Sequence, residues 1–249
     1  MFRALLSRLA SGPWLPSQCA ICRAWPAQPL CAACLRRFAS PRPRCRACAL
    51  PVAEGMDVCA VCLLWPRSGA QTDGKAPLDQ LDRCHAAVDY DWPWNDLVGR
   101  YKFSPEPGWA TVLAELMRAA PGAADALEAA DAVLPLPLTP ARLRERGFNQ
   151  ALHLARALSP GKTRSDWLLR LRHTPDQHSL PRDERLLNVQ DAFGVPPGKR
   201  RRIEGQRLLL IDDVMTTGAT LNAAAAVLRE AGAVEICALV LARTPLEGW

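Results

Sequence analysis

The chain has 249 residues, 49% of them apolar and 22% charged, with a formal net charge of +6. That length holds one good α/β core plus a small appendage. No run approaches the roughly 18 uncharged apolar residues a membrane helix needs, so the expectation is a chain without membrane insertion.

The charge is unevenly placed. Residues 1 to 66 carry eight arginines against Glu54 and Asp57, and the remainder is balanced at 23 basic and 23 acidic side chains. The opening MFRALLSRLASGPW is apolar but cut by Arg3, Ser7 and Arg8, which is poor for a secretory core segment. It predicts a short amphipathic helix and a cytoplasmic location.

Eight of the ten cysteines follow in four C-x-x-C pairs: Cys19/Cys22, Cys31/Cys34, Cys45/Cys48 and Cys59/Cys62. Two thiolates two residues apart present both sulfurs to one tetrahedral ion, so four such knuckles predict two structural Zn²⁺ sites. Disulfides need an oxidising compartment, and thioredoxin-like chemistry needs one such motif at a helix start, not four in a row. Sequential pairing leaves eight residues between the first two knuckles and ten between the last two, which favours two successive zinc ribbons; interleaved pairing leaves longer loops. A segment this poor in bulky aliphatics depends on metal to fold. Between the ribbons stand Arg36, Arg37, Arg42, Arg44 and Arg46, with Trp14, Trp25 and Trp65 near them. This pattern suits phosphate contact with base stacking, and equally well tryptophans that cover zinc sites in a module short of core.

Residues 67–84 are predicted as a linker between the cysteine-rich module, 1–66, and a second domain, 85–249; SGAQTDGKAPLDQLD is polar, carries Gly and Pro and lacks periodicity. A strand is predicted from His85 to Tyr90, and helices over Trp94–Phe103 and Trp109–Ala119 with a break at Ser104-Pro105-Glu106-Pro107. Another strand is expected over Asp131 to Leu138, a helix over Phe148 to Leu158, and a short strand at Leu168 to Leu171. Strands alternating with helices predict a mostly parallel sheet flanked by helices, with ligands beyond the carboxyl ends of its strands.

Between the strand and helix around position 140, ARLRERGFNQ crowds Arg142, Arg144 and Arg146 into five residues. Guanidinium groups there, with Mg²⁺, suit the charge of a departing pyrophosphate; a solvated basic face is the plain alternative. Residues 170–193 are polar and long, with Arg170, Arg172, Arg182 and Arg185, and have the character of a lid over such a site. Lys199 to Arg202 reads as a solvated basic loop.

The richest segment comes last. Leu208–Ile211 predicts a buried strand, Asp212 and Asp213 follow, then Thr216-Thr217-Gly218-Ala219-Thr220 and an alanine-rich helix closed by Gly232. The loop therefore stands at a helix N-terminus, where backbone N–H groups and threonine hydroxyls bind a phosphate. Two acids just before it would repel that phosphate unless a ribose, donating two hydroxyls, lay between. The expected ligand is a ribose 5-phosphate compound. A nucleotide-hydrolysing P-loop is excluded: Gly161-Lys162-Thr163 lacks its upstream glycine, because Arg156 holds that place. Cys84 and Cys237 lie outside any pair and read as packed thiols, and the four histidines share no metal spacing.

The Asp212–Thr220 segment resembles the phosphoribosyl-pyrophosphate (PRPP) signature of type I phosphoribosyltransferases. The wider order also resembles the ComF/GntX family of competence-associated, phosphoribosyltransferase-like bacterial proteins. It runs from the cysteine knuckles and KF before a helix through PLPLTPARLRERGFNQA, R-x-R-x-T-x-x-Q-x-x-L and N-V-x-x-A-F to IDDVMTTGATL. The resemblance implies a type I phosphoribosyltransferase-like fold with an N-terminal zinc-ribbon module, PRPP with Mg²⁺ as ligand, Asp212 and Asp213 on the ribose hydroxyls and residues 216–220 on the 5′-phosphate. Similarity of the lid to that of glutamine PRPP amidotransferases implies that Arg172, Thr174, Gln177 and Arg185 close over pyrophosphate. Two departures stand out: SPEP after Lys102-Phe103 replaces an expected small glycine-containing turn, and eight cysteines exceed the four that some members carry. Two functions follow as expectations: phosphoribosyl transfer to an unidentified acceptor, or a non-catalytic accessory role in single-stranded DNA uptake, with DNA or a helicase as partner.

Overall fold

The computed structural model describes residues 17–64, 78–103, 107–171 and 192–245. Its elements in chain order are helices α1 (Ala32–Phe38) and α2 (Ala60–Leu64), strand β1 (Arg83–Asp89), and helices α3 (Trp94–Phe103), α4 (Pro107–Arg118) and α5 (Ala123–Ala129). Then come β2 (Ala132–Pro135), α6 (Pro140–Arg146), α7 (Gln150–Leu158), β3 (Leu169–Arg170) and β4 (Phe193–Gly194). A 3₁₀ turn, Pro197–Lys199, leads into α8 (Arg200–Ile203), followed by β5 (Arg207–Met215), α9 (Ala219–Glu230) and β6 (Glu235–Arg243).

Four strands form a parallel sheet in the order β1-β6-β5-β2, and β3 and β4 make a separate antiparallel pair. The two central strands are near-continuous apolar runs because helices cover both faces. Period-two alternation sorts their side chains: Leu209, Ile211, Leu239 and Leu241 pack with α3, α4, α5 and α7, while Leu208, Leu210, Ile236 and Val240 pack with α9 and Phe193.

The cysteine-rich module straddles the β1 edge of this sheet. Leu30, Leu35 and Ala39 join the first core, and Cys45, Cys48 and Leu50 join the second. Cys84 N–H on β1 donates to the Arg46 carbonyl at 2.8 Å, so the module covers an edge that would otherwise offer unpaired backbone groups. Asp89 at the end of β1 receives Arg44 at 2.8 Å and Arg42 at 2.9 Å. Leu78–Asp82, the tail of the expected linker, docks on α9: Gln80 N–H donates to Asn222, and Arg229 pairs with Asp82.

Three elements differ from the sequence expectation in ways that shape the site. β5 does not end before the acid pair but runs on to Met215, because β6 continues to pair with it through Asp212, Val214 and Met215. β2 stops at Pro135, opposite Ile211, so the last residues of β5 are paired on one side only. The arginines of ARLRERG lie on a helix rather than ahead of one. Thr139 Oγ1 accepts from Arg142 N–H at 3.2 Å, Pro140 opens the first turn, and Gly147 closes it at φ +77°. Lys199 to Arg202 is likewise helical, with its arginines exposed.

Candidate functional site

Where β2 falls short of β5, the sheet's carboxyl edge opens into a cavity of about 180 Å³. One wall is the strand itself. Asp213 N–H donates to Asp212 Oδ1 at 2.9 Å and Val214 N–H to Asp213 Oδ1 at 2.7 Å, so each acid satisfies the amide that follows it. Asp213 Oδ2 is buried, accepts no hydrogen bond among the described residues, and faces Lys102 Nζ at 3.5 Å. Desolvation by burial, and then the charge of Asp213, push the Asp212 carboxyl up to about 8.

The floor is the turn into α9. Thr216, Gly218 and Thr220 line the cavity. Gly218 holds φ +85°, and a Cβ there would meet Leu78 and Met215 side-chain atoms at 2.6 and 2.7 Å. Thr217 and Ala219 of the expected phosphate loop do not line the cavity. Thr217 Oγ1 instead accepts from Ala219 N–H at 3.3 Å, taking one of the free donors at the helix start, and Ala219 is buried.

The opposite wall is cationic. Arg142 and Arg146, one helical turn apart on α6, face the cavity together with Arg170 of β3 and Lys102 of α3. Arg144 is exposed and lies outside it: the helix that aligns positions 142 and 146 turns position 144 away. Burial, then the nearby Arg142 charge, lower the Arg170 guanidinium. Arg172, Thr174, Gln177 and Arg185 lie outside the described residues.

Two contributors were not singled out from sequence. Lys102 reaches the site from 111 positions upstream of its partner Asp213 along the chain. Gln150, 2% exposed, donates to the Lys102 carbonyl at 2.9 Å and accepts from Arg146 at 3.2 Å, so one buried amide ties two cavity cations together. The only signals were KF at a helix end and GFNQ at a helix start.

The metal-site candidates among the described residues are two cysteine sets, Cys19/Cys22/Cys31/Cys34 and Cys45/Cys48/Cys59/Cys62, the sequential pairing. Zn–S bonds of about 2.3 Å place the sulfurs of a tetrahedral site about 3.8 Å apart. Cys22 and Cys31 Sγ stand 3.7 Å apart, Cys48 and Cys59 Sγ 3.6 Å, and all four ligand atoms of each set lie within 4.8 Å of one another. Each set fits one tetrahedral zinc. Trp25 is 64% exposed, which does not suit a cover over the first set.

Comparison with known proteins agrees with this architecture. The model of the phosphoribosyl transferase domain matches residues 146–247. The parallel sheet, the acid pair on β5 and the turn into α9 thus define a domain of the type I phosphoribosyltransferase class, preceded by a module with two cysteine tetrads. Competence protein F of Haemophilus influenzae is 34% identical over 160 residues, 62% of this chain and 69% of that protein. The chain belongs to the ComF family. DNA utilization protein YhgH of Escherichia coli is 28% identical over 243 residues, 92% of this chain and 98% of that one. Competence protein ComFC of Bacillus subtilis is 41% identical over 100 residues, 40% of this chain and 39% of that one.

Proposed function

We propose that the cavity binds PRPP and that the chain transfers its phosphoribosyl group to an acceptor, releasing pyrophosphate. The observation that carries this reading is Asp213 Oδ2, buried between a helix-start turn and four cations and, among the described residues, accepting no hydrogen bond. The carboxylates accept the two ribose hydroxyls, and the Thr216–Thr220 turn holds the 5′-phosphate. Arg142, Arg146, Arg170 and Lys102 hold the diphosphate. As the acceptor's lone pair attacks C1, the C1–O bond breaks and its electron pair leaves on pyrophosphate; the guanidinium groups stabilise the charge that builds there. Among the described residues no third protein ligand joins the two carboxylates, which fits Mg²⁺ that arrives with the diphosphate rather than a metal held by protein alone. When bound, Mg²⁺ neutralises charge on the leaving oxygens. In calorimetry, PRPP with Mg²⁺ should bind, and Asp213→Asn should weaken it about 10- to 100-fold, the loss of a charged hydrogen-bond acceptor. Pyrophosphate release in the presence of candidate bases or amines, abolished by that substitution, tests the transfer. Unchanged binding by Asp213→Asn would remove the acid from the site.

A second reading has its own observation. On the arginine-rich module Arg37 lies over the Phe38 ring at 5.1 Å, and Phe38 meets Trp92, 56% exposed and just after β1, edge-on at 5.0 Å. With relatives named for DNA utilization and competence, this supports a non-catalytic role in which the module grips single-stranded DNA. Binding that steepens as salt falls, survives Asp213→Asn and is lost with zinc supports this role. Binding lost with Asp213→Asn counts against it.

A further inference from the structure

Arg243 ends β6 and is 4% exposed. Its guanidinium reaches two separate segments and the carbonyl of its own neighbour, Thr244. Nε donates to the Cys48 carbonyl at 2.8 Å, in a knuckle of the second cysteine tetrad. One terminal nitrogen donates to the carbonyls of Met215 at 3.2 Å, of Thr216, and of Thr244 at 2.7 Å. These acceptors are all backbone carbonyls, and among the described residues no carboxylate lies within ion-pair distance. The negative charge available to balance this buried cation is the second tetrad, since four thiolates around one Zn²⁺ carry a net charge of about −2.

The geometry also acts on the phosphate turn. In a trans peptide the carbonyl and the following N–H point in opposite directions. Holding the Met215 and Thr216 carbonyls at Arg243 therefore turns the Thr216 and Thr217 N–H groups to the other side of the strand end. Thr216 and Gly218 line the cavity there. Thr244 N–H fixes Met215 O from the same side at 3.0 Å. Among the described residues the first tetrad has no such route: its helix, α1, packs Leu35 into the core on the other face of the sheet.

We propose that Arg243 is a positioning residue that couples the second cysteine tetrad to the phosphate turn. Zinc held by Cys45, Cys48, Cys59 and Cys62 then raises the affinity of the cavity for a phosphorylated sugar, and zinc in the first tetrad does not. The identity of the ligand rests on the phosphoribosyl reading above; the coupling itself does not.

Hydrogen exchange by mass spectrometry on the full zinc-loaded chain tests it. Arg243→Gln should keep both zincs by metal analysis, yet exchange the amides of residues 216–219 about tenfold faster with the β2 and α7 peptides unchanged, a local rather than global opening. Ribose 5-phosphate should bind about tenfold more weakly, and Arg243→Lys should recover part of both effects. Cys62→Ser should loosen the same turn and Cys22→Ser should leave it alone. By reciprocity, ribose 5-phosphate should slow zinc release to a chromogenic chelator from one tetrad of the unmodified chain but not of Arg243→Gln, an effect that lost packing alone would not produce. Unchanged exchange in Arg243→Gln, or equal loosening by Cys22→Ser, overturns the proposal. If Cys62→Ser does not fold, Arg243→Gln and the release rates decide. If the unmodified chain binds no ribose 5-phosphate, the phosphoribosyl reading falls and the exchange result alone decides the coupling.

Discussion

Asp212 and Asp213 are neighbours on one strand in different circumstances. Asp213 has Lys102 at 3.5 Å, while burial and the Asp213 charge push Asp212 up to about 8. A carboxyl whose folded pKa lies above its unfolded value binds its proton more tightly in the native state, so its contribution to stability is full below about pH 4 and is lost as pH rises towards 8. Without ligand, the unfolding free energy should fall across that window, and Asp212→Asn should flatten the trend and add about 1–3 kcal/mol at pH 8, read from urea melts. A profile unaltered by the substitution would place the titration elsewhere. The arginines separate just as sharply. Arg142→Ala and Arg146→Ala should each weaken PRPP at least about tenfold while affecting ribose 5-phosphate less, and Arg144→Ala should leave both within about twofold, by calorimetry.

At the scale of elements, the site depends on where things stop. β2 ends at Pro135, leaving room beside β5 for a ligand; α6 is a two-turn helix held by Thr139 and Gly147; the turn before α9 passes through Gly218 at φ +85°. A side chain at that φ costs about 1–2 kcal/mol, and the Leu78 and Met215 tips would have to move as well. Gly218→Ala should therefore lower the unfolding free energy by at least that amount and weaken phosphate binding, seen together in a urea melt and a titration. Lost binding at full stability would mean that only the close approach to the ligand matters. The sequence was most legible here: Trp94–Phe103 is helical over the expected span, and Gly232 closes α9. The helix that carries the arginines falls where the sequence predicts a connection between strand and helix, although Thr-Pro before it and Gly after it are start and stop signals.

For the whole molecule, the cysteine-rich module is part of the frame as well as an appendage. It lines both cores, covers the β1 edge through Cys84 and Arg46, and reaches the phosphate turn through Arg243. Metal analysis should find two zincs per chain. Their removal with a strong chelator should lower the melting midpoint by more than about 10 °C and promote association by light scattering as the edge strand is uncovered. A metal-free chain that melts at the same temperature and stays monodisperse would contradict this view of the module.

Local chemistry was enough to mark four cysteine knuckles, an acid pair before a hydroxyl-rich turn, and alternating strands and helices, because each is written in adjacent or evenly spaced residues. Lys102 beside Asp213, Gln150 between two cavity cations, and Arg243 between a metal knuckle and the phosphate turn depend on contacts up to 195 positions apart. No period or spacing in one chain encodes such pairings; they form when the parallel sheet brings the ends of its strands to one edge. Whether an arginine two positions from another serves the ligand or the solvent was decided the same way, by the turn of α6 against that edge.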